Sequence, residues 1–457
     1  MIIDRLLGIA TRAVQCAVKH DSDQAQASAF LLDQSLTRFA NSQIHQNVST
    51  KKGGVLLKVI LNKRISSTRL NTLEEKPIVK AVKHAIKIAK ASPPNKDFRS
   101  LPEPEPWTSI KGGFDEETAN CTPRYRAEKV KEAVESAHSE SSKVKAVAGY
   151  FSSGSMAYAI VNSLGISAGA KISSADMKTT VMSKSGISEG SGTAEKYAKR
   201  VEDIEPAVLA RDAAEKAVKS INPIKLSPGE YQVVLSHLAS ATLLMFLGYV
   251  GFSATPYQDG QSFVGYHLDQ QVFDRKLNVK DDARDSQTLY TIPIDGEGVP
   301  KKSMKLVNHG IVSEHSICHN SFTAGKEGKK STGHALPPIS EYYSQRPVPI
   351  NLIVSRGDAT LEEEIAETKR GIFVTTFHYV NPVEPAKVVL TGLTRDGTFL
   401  IENGELSRSV VNMRFTDSML SALRNIPLIG NQLEIVDAAT VPSMKLEKLR
   451  FVGVSAY

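Results

Sequence analysis

The residues able to do chemistry are few and scattered along this chain of 457. A single histidine, His237, opens the apolar stretch 235-LSHLASATLLMFLGYVGF-252. A metal-dependent hydrolytic helix needs two neutral histidines as ligands and a glutamate beside the first, to take a proton from metal-bound water. Here Leu238 follows His237, Ala241 lies four residues on and Thr242 five residues on. None of the three replaces a ligand or a base. A lone imidazole does not hold zinc, and apolar residues on every side of the predicted helix point to burial.

A second cluster is 309-HGIVSEHSICHN-320, with His309, Glu314, His315, Cys318 and His319. Its composition suits zinc or a thiol nucleophile, but no second paired motif stands at a standard spacing. Read as a strand, it puts His315 and His319 on one face and Cys318 on the other. A metal or thiol role and a plain surface or interface role both stay open. Asp295 and Glu297 in IDGEGVP are a candidate carboxylate pair, though the neighbouring glycines favour a turn. Gly186, Gly190 and Gly192 in GISEGSGTAEKYAKR could cradle phosphate ahead of a helix. No G-K-[ST] follows, so the stretch reads as a flexible loop. Nothing resembles G-x-S-x-G, and the adjacent Ser236 and His237 are poorly spaced for a triad.

The elements that must position these residues fall into two halves. An amphipathic helix begins the chain, with Leu6, Ala10, Ala13, Val14 and Ala17 on one face. Strand-like runs follow at 29–32, 36–40, 44–49, 54–61 and 65–70. Thr72 and Glu75 read as a capping box opening a helix with Ile78, Val79, Val82, Ile86 and Ala89 on its buried stripe. Lys80, Lys83, Lys87 and Lys90 lie away from that stripe, as an anion-binding surface or a solvated face. Residues 92–107, SPPNKDFRSLPEPEPW, hold five prolines and form an extended connector. A helix starts at Thr122-Pro123. Two paired strands are expected at 144–151 and 156–162, another at 175–182, then a helix over 204–220. After Asn222-Pro223 short strands and turns dominate. Two helices interrupt them: one capped by Thr360 and Glu363 and stopping at Gly371, the other near 416–425. The expected architecture is α+β in two domains. An N-terminal α/β-type domain covers 1–222, with the connector inside it, and a β-rich, barrel-like domain covers 223–457.

The bulk numbers bound the function. Hydrophobic content of 41% and charged content of 23% describe a globular chain, and the net charge of +7 is spread without a long basic run. That argues against a nucleic-acid arm. Three distant cysteines fit a reducing compartment, and with no signal peptide a cytoplasmic location is expected. The apolar stretch from Leu238 to Phe252 is shorter than the ~20 residues a membrane helix needs.

Several segments together resemble the TldD/PmbA metallopeptidase family: IDGEGVPKKSMKLVNHGIV, HNSFTAGKEGKKSTGHALP, RGIFVTTFHYVNPVEPAKVVLTGLTRDGTFLIENGEL and MRFTDSMLSALRNI, with LTRFANSQIHQN and the NSLG turn upstream. The resemblance implies a two-domain α+β fold, dimers around an internal chamber, and peptide hydrolysis by a zinc enzyme. It also carries an older label, modulator of DNA gyrase. TldD-like members have an H-E-x-x-x-H helix and a C-terminal cysteine ligand; PmbA or TldE-like members lack these and pair with a TldD-like chain. Carried over, His237 falls on the first histidine, Leu238 on the glutamate and Thr242 on the second histidine. No cysteine follows Cys318. The resemblance therefore implies a non-catalytic, PmbA-like subunit with no cofactor of its own. Zinc is expected in a TldD-like partner, the assembly being a heterodimer or a homodimer, and the substrate a peptide or unfolded protein held by strand addition. His237 and the STGHAL stretch with Ser331, Thr332, Gly333 and His334 are expected to line the chamber, an ordinary loop being the alternative. An autonomous peptidase using Cys318, His315 and His319, and a basic nucleic-acid-associated regulator, are the competing readings.

Overall fold

The computed structural model describes residues 2–338 and 346–454. Helix α1 (Ile2–Lys19) buries Leu6, Ile9, Ala10, Ala13, Val14 and Ala17. It is followed by a six-stranded antiparallel sheet: β1 (Gln24–Ala40), β2 (Gln43–Leu61), β3 (Arg64–Leu70), β4 (Val144–Asn162), β5 (Ser167–Ser185) and β6 (Ser188–Ala198), in the order β3-β2-β1-β4-β5-β6. Strands of 17 to 19 residues are long for a globular protein. The strand-like runs expected at 29–40 and 44–61 are therefore two continuous strands. They are joined at Asn41 and Ser42, both with positive φ, as a two-residue hairpin turn with primed geometry requires.

Successive side chains alternate between the sheet faces, and the two faces have different tasks. The outer face packs Ala27, Ala29, Val55, Leu57, Ala157 and Ala159 against α1 and α2 (Glu75–Ala91). Further along, Phe39, Val147, Phe151 and Met177 pack against α3 (Pro123–Glu140) and α4 (Pro206–Lys219). The inner face carries Phe30, Leu32, Ser152, Met156, Ile172, Ser174 and Asp176 and looks toward the C-terminal domain.

Three local expectations are corrected here. The serine-rich stretch 152–155 is no turn: residues 144–162 form one strand, because Asp33–Leu36 and Ser173–Asp176 pair with it on both sides. The glycine-rich loop is the edge strand β6. Its glycines let a helix approach: a Cβ on Gly190 would lie 2.3 Å from the Ala217 carbonyl oxygen, and one on Gly192 2.3 Å from that of Ala213, both on α4. The Thr72–Glu75 capping box does not form. Helix α2 starts two residues later than expected, with Glu74 as its uncapped first boundary, and the Thr72 hydroxyl accepts from the Glu74 N–H instead.

In the C-terminal domain five strands close on themselves. Strand β7 (Gly229–Leu235) pairs parallel with Arg370–Glu384 and antiparallel with Met444–Val454. Strand Met413–Ser418 continues the ring from Met444–Val454 to Val389–Glu402, which pairs back to Arg370–Glu384. This is a closed barrel, and Glu405–Ser409 hangs from one of its strands. The helix expected near 416–425 is mostly the strand Met413–Ser418, in which Thr416 bonds Thr391 across the ladder; only Met419–Ala422 is helical. The helix capped by Thr360 and Glu363 is present with both bonds of its box, but it ends at Ala366, before the strand containing Gly371. A smaller sheet of five short strands stands beside the barrel. Helix α5 (His237–Gly251) lies against both. It buries Ala239, Ala241, Leu243, Leu244, Leu247 and Val250 in the largest hydrophobic core. The fold is thus α+β, in two domains. No helix among the described residues is long and apolar enough to cross a membrane.

Candidate functional site

Helix α5 begins where a strand of the barrel ends. Ser236 caps it, accepting from the Ala239 N–H, and its own hydroxyl donates to the Thr375 carbonyl. His237 is half-buried at the first position. A ring nitrogen faces the Gln432 carbonyl at 3.2 Å, and burial pushes the imidazole below its usual range. Leu238 is partly buried against the core. The Thr242 hydroxyl donates to the Leu238 carbonyl at 2.8 Å, one turn back in the helix. A zinc ion needs three protein ligands with free lone pairs and, for hydrolysis, a carboxylate base. The set His237, Leu238 and Thr242 supplies one imidazole, one alkyl group and one committed hydroxyl, so these residues do not fit the ion. Among the described residues no group of three or more His, Cys, Asp or Glu is placed to hold a metal.

The cluster at 309–320 is not a strand over its length. Residues Glu314–Ser316 form a 3-10 turn, and Cys318 bridges to Ser253. His315 is exposed, whereas Cys318 and His319 are buried, so the expected sharing of a face by His315 and His319 is corrected. Burial pushes the Cys318 thiol well up, with the Asp281 charge adding to it. A protonated thiol with no solvent path is a poor nucleophile. His319 has no hydrogen-bond partner for either ring nitrogen among the described residues, and Glu327 is 3.9 Å away.

Residues 331–334 of the STGHAL stretch lie behind the cavity wall rather than on it. His334 is 1% exposed and donates from Nε2 to Asp281 at 2.9 Å, while Nδ1 accepts from the Thr332 hydroxyl at 2.9 Å. Ser331 donates to the His319 carbonyl, and a Cβ on Gly333, at φ +75°, would lie 2.4 Å from the Pro300 carbonyl oxygen. Burial would raise the Asp281 carboxyl. The Lys301 ammonium at 3.6 Å, the His334 ring and the Asn351 N–H outweigh that and hold it well below the usual carboxylate range. Burial and the Lys301 charge push the His334 imidazole down, and the Asp281 carboxylate pulls the other way. The group is fully enclosed and links one strand of the smaller sheet to the loops carrying Lys301 and His334. Nothing in the spacing of Asp281, Lys301 and His334 announced it.

Asp295 and Glu297 do lie in a turn, as expected, but the turn is buried between the domains. Asp295 accepts from the backbone N–H groups of Glu297, Val299 and Ala335. Burial and the neighbouring Glu297 push it up to about 7.

The large concave site lies elsewhere, between the inner face of the N-terminal sheet and the C-terminal domain. It is a cavity of about 1570 Å³. Its floor is the alternating inner face of β1, β4 and β5. Its far wall is Phe246 and Tyr249 from α5, Tyr290, Ile350 and Asp437. Lys51, Lys52 and Arg69 from β2 and β3 stand at one end. Asp176 on β5 and Tyr197 on β6 stand at the other, directly paired across the ladder. Leu336, the last residue of STGHAL, and Pro337 after it also reach the wall; His237 and residues 331–334 do not. Asp176, Tyr197, Tyr290 and Asp437 were not singled out in the sequence. The available signal was the polar alternation of Ser152, Ser174 and Asp176 on strands whose other face is apolar.

A half-open sheet docked on a closed barrel, with a chamber between, defines a recognisable class. Residues 118–221 match the PmbA/TldA metallopeptidase central domain and residues 228–453 its C-terminal domain. The chain belongs to the PmbA/TldD metallopeptidase family. It is 24% identical over 251 residues to the metalloprotease PmbA homolog of Haemophilus influenzae, covering 54% of this chain and 51% of that one. It is also 24% identical over 250 residues to metalloprotease PmbA of Escherichia coli O157:H7, with the same shares covered. The chain spans about half the length of these curated relatives. The crystal structure of TldE from Thermococcus kodakarensis superposes with a TM-score of 0.88 at 18% identity, over 97% of this chain and all of that one, which shows a shared fold.

Proposed function

We propose that this chain is a non-catalytic, PmbA/TldE-like subunit of a zinc metallopeptidase assembly, shaping a peptide-holding chamber for a TldD-like partner that carries the zinc. One observation carries the reading: the start of α5 presents His237, Leu238 and Thr242, with the Thr242 hydroxyl committed to the Leu238 carbonyl. The family's hydrolysis needs a ligand set and a base that these side chains cannot provide. The chain nevertheless keeps a barrel, a docked sheet and a cavity of about 1570 Å³, which is the framework for holding substrate without cutting it.

The test is to purify the chain alone and with a TldD-like chain from the same cell, then to measure zinc and peptide cleavage in each sample. The expected result is zinc and cleavage only where the partner is present, with the two chains eluting together. Stoichiometric zinc and cleavage in the isolated chain would refute the reading.

A further inference from the structure

We infer that the cavity between the domains seats a primary ammonium group of a peptide, at the site formed by Asp176, Asp437 and the tyrosines around them. The inference rests on the reading of this chain as a peptide-holding subunit and names the chemical feature it would recognise.

The charges at this end of the cavity are unbalanced. Asp176 accepts from the Ser152 hydroxyl at 2.8 Å, and Tyr290 donates to Asp437. Both donors are neutral. Glu195, beside them, receives the Tyr197 hydroxyl at 2.7 Å and the Tyr150 hydroxyl at 3.3 Å, and is paired with Lys178 at 3.4 Å. Among the described residues no lysine, arginine or histidine lies within ion-pair distance of Asp176 or Asp437. Burial pushes Asp176 up, and Glu195 and Asp437 add to the push. A cation delivered here would relieve that repulsion. It would find carboxylate acceptors and the faces of Tyr197 and Tyr290, which attract ammonium groups through the ring quadrupole.

The rest of the cavity fits the remainder of a peptide. Its middle is apolar, with Phe30, Leu32, Met156, Ile172, Phe246 and Ile350. Its other end carries Arg69, whose guanidinium sits 5.1 Å over the Phe30 ring, while the Lys51 ammonium turns to the outer face and pairs with Asp33 at 2.9 Å. That end suits a carboxylate and repels a second ammonium. Asp176 stands three strands across from β2 and four residues along from the Lys52 row. At the ordinary strand spacing and rise this is roughly 20 Å, the length of about six extended residues. The volume exceeds the ~300–1,000 Å³ of a typical small-molecule pocket, in keeping with an oligopeptide.

The experiment uses the full chain alone, without partner or zinc, and calorimetry with a neutral, apolar hexapeptide bearing free ends. The same peptide with an acetylated amino end, and the acetylated peptide with one internal lysine, form the comparison. Acetylation is expected to weaken binding about tenfold or more, the loss of a charge-assisted contact. Recovery by the internal lysine would assign the site to side-chain amines as well; no recovery would assign it to the peptide terminus. Asp437→Asn should abolish the preference for the free amine at unchanged melting temperature. Asp176→Asn should do the same, and Lys51→Gln should leave the preference intact. Equal affinity for free and acetylated peptides, or no binding of either, overturns the inference. Because no partner is present, that failure is separate from a failure of the partner chain to assemble or carry zinc.

Discussion

Lys58 on β2 and Glu297 in the C-terminal domain face each other at 3.6 Å, with side-chain exposures of 13% and 3%. The pair joins the two domains across a turn that also bonds the Ser321 N–H to Glu297 and receives the Tyr158 hydroxyl at the Ile294 carbonyl. Burying two charges is costly, and removing one partner strands the other. Lys58→Met is therefore expected to destabilise the chain by about 3 kcal/mol, seen as a lower midpoint in urea. The double variant Lys58→Met/Glu297→Gln should recover much of that loss. If the single variant unfolds at the same urea concentration as the parent, the pair is not holding the domains together.

Gly298 closes the same turn with φ +81°, and a Cβ there would lie 2.5 Å from an Ile166 methyl on the N-terminal domain. Gly298→Ala thus meets both a disfavoured backbone region and a crowded contact. The expected cost is roughly 1–3 kcal/mol, with easier proteolysis at the domain junction. Unchanged urea and protease resistance would show that the junction has slack.

Glu364 sits buried on the helix Leu361–Ala366, and neither carboxyl oxygen has a hydrogen-bond partner among the described residues. Burial pushes it up to about 8, with Ser443 and Lys445 pulling weakly the other way. The folded value lies above the unfolded one, near 4.3. Its favourable, protonated state is fully present below the unfolded value and is lost as pH rises through about 8. Glu364→Gln should flatten the fall of thermal stability between about pH 5 and pH 8, while leaving the value near pH 4 nearly unchanged. An identical pH profile in parent and variant would exclude the carboxyl as the cause.

The enclosed Asp281–His334–Lys301 group gives a prediction of opposite sign. Asp281 is held below its unfolded value, so its contribution is present above that value and is lost as pH falls through the folded one. Asp281→Asn leaves the Lys301 ammonium buried without a counter-charge and should cost about 3–5 kcal/mol. Circular dichroism melts at pH 7 test this directly. Asp281→Asn/Lys301→Met should be the milder change, and a double variant worse than the single one would contradict the account.

Leu238→Glu/Thr242→His restores two of the side chains expected of a catalytic helix beside His237. Because the described residues of this chain assemble no group of three or more His, Cys, Asp or Glu, zinc after desalting should stay far below one ion per chain. A tightly bound stoichiometric ion in that variant would reveal a ligand from elsewhere in the chain.

Much of this was legible before the structure. The apolar periodicity of α1 and α2, the Thr122 cap with Pro123 behind it, and the Thr360–Glu363 box are local signals, and local physics sets those elements. The change of character near Asn222 reflects a shift from one meandering sheet to a closed barrel with a second sheet of short strands. What failed depended on neighbours distant in sequence. Gly190 and Gly192 look like a loop until α4 is seen pressing on them. Ser152–Ser155 look like a turn until pairing on both sides is known. The correspondence of His237 with a catalytic position is an expectation from the resemblance. The cavity was not legible, because its carboxylates and tyrosines come from β5, β6 and loops more than two hundred positions apart.

The ring of strands in the C-terminal domain has a consequence for synthesis. β7, the first strand of that ring to leave the ribosome, needs Met444–Val454, its last, as a neighbour. Until those late residues emerge, β7 must wait with one side unzipped and prone to mispairing. Translation through residues 235–444 is thus the period when nascent chains would most need a chaperone, and a stop codon anywhere in that interval should yield aggregate rather than a shortened working domain.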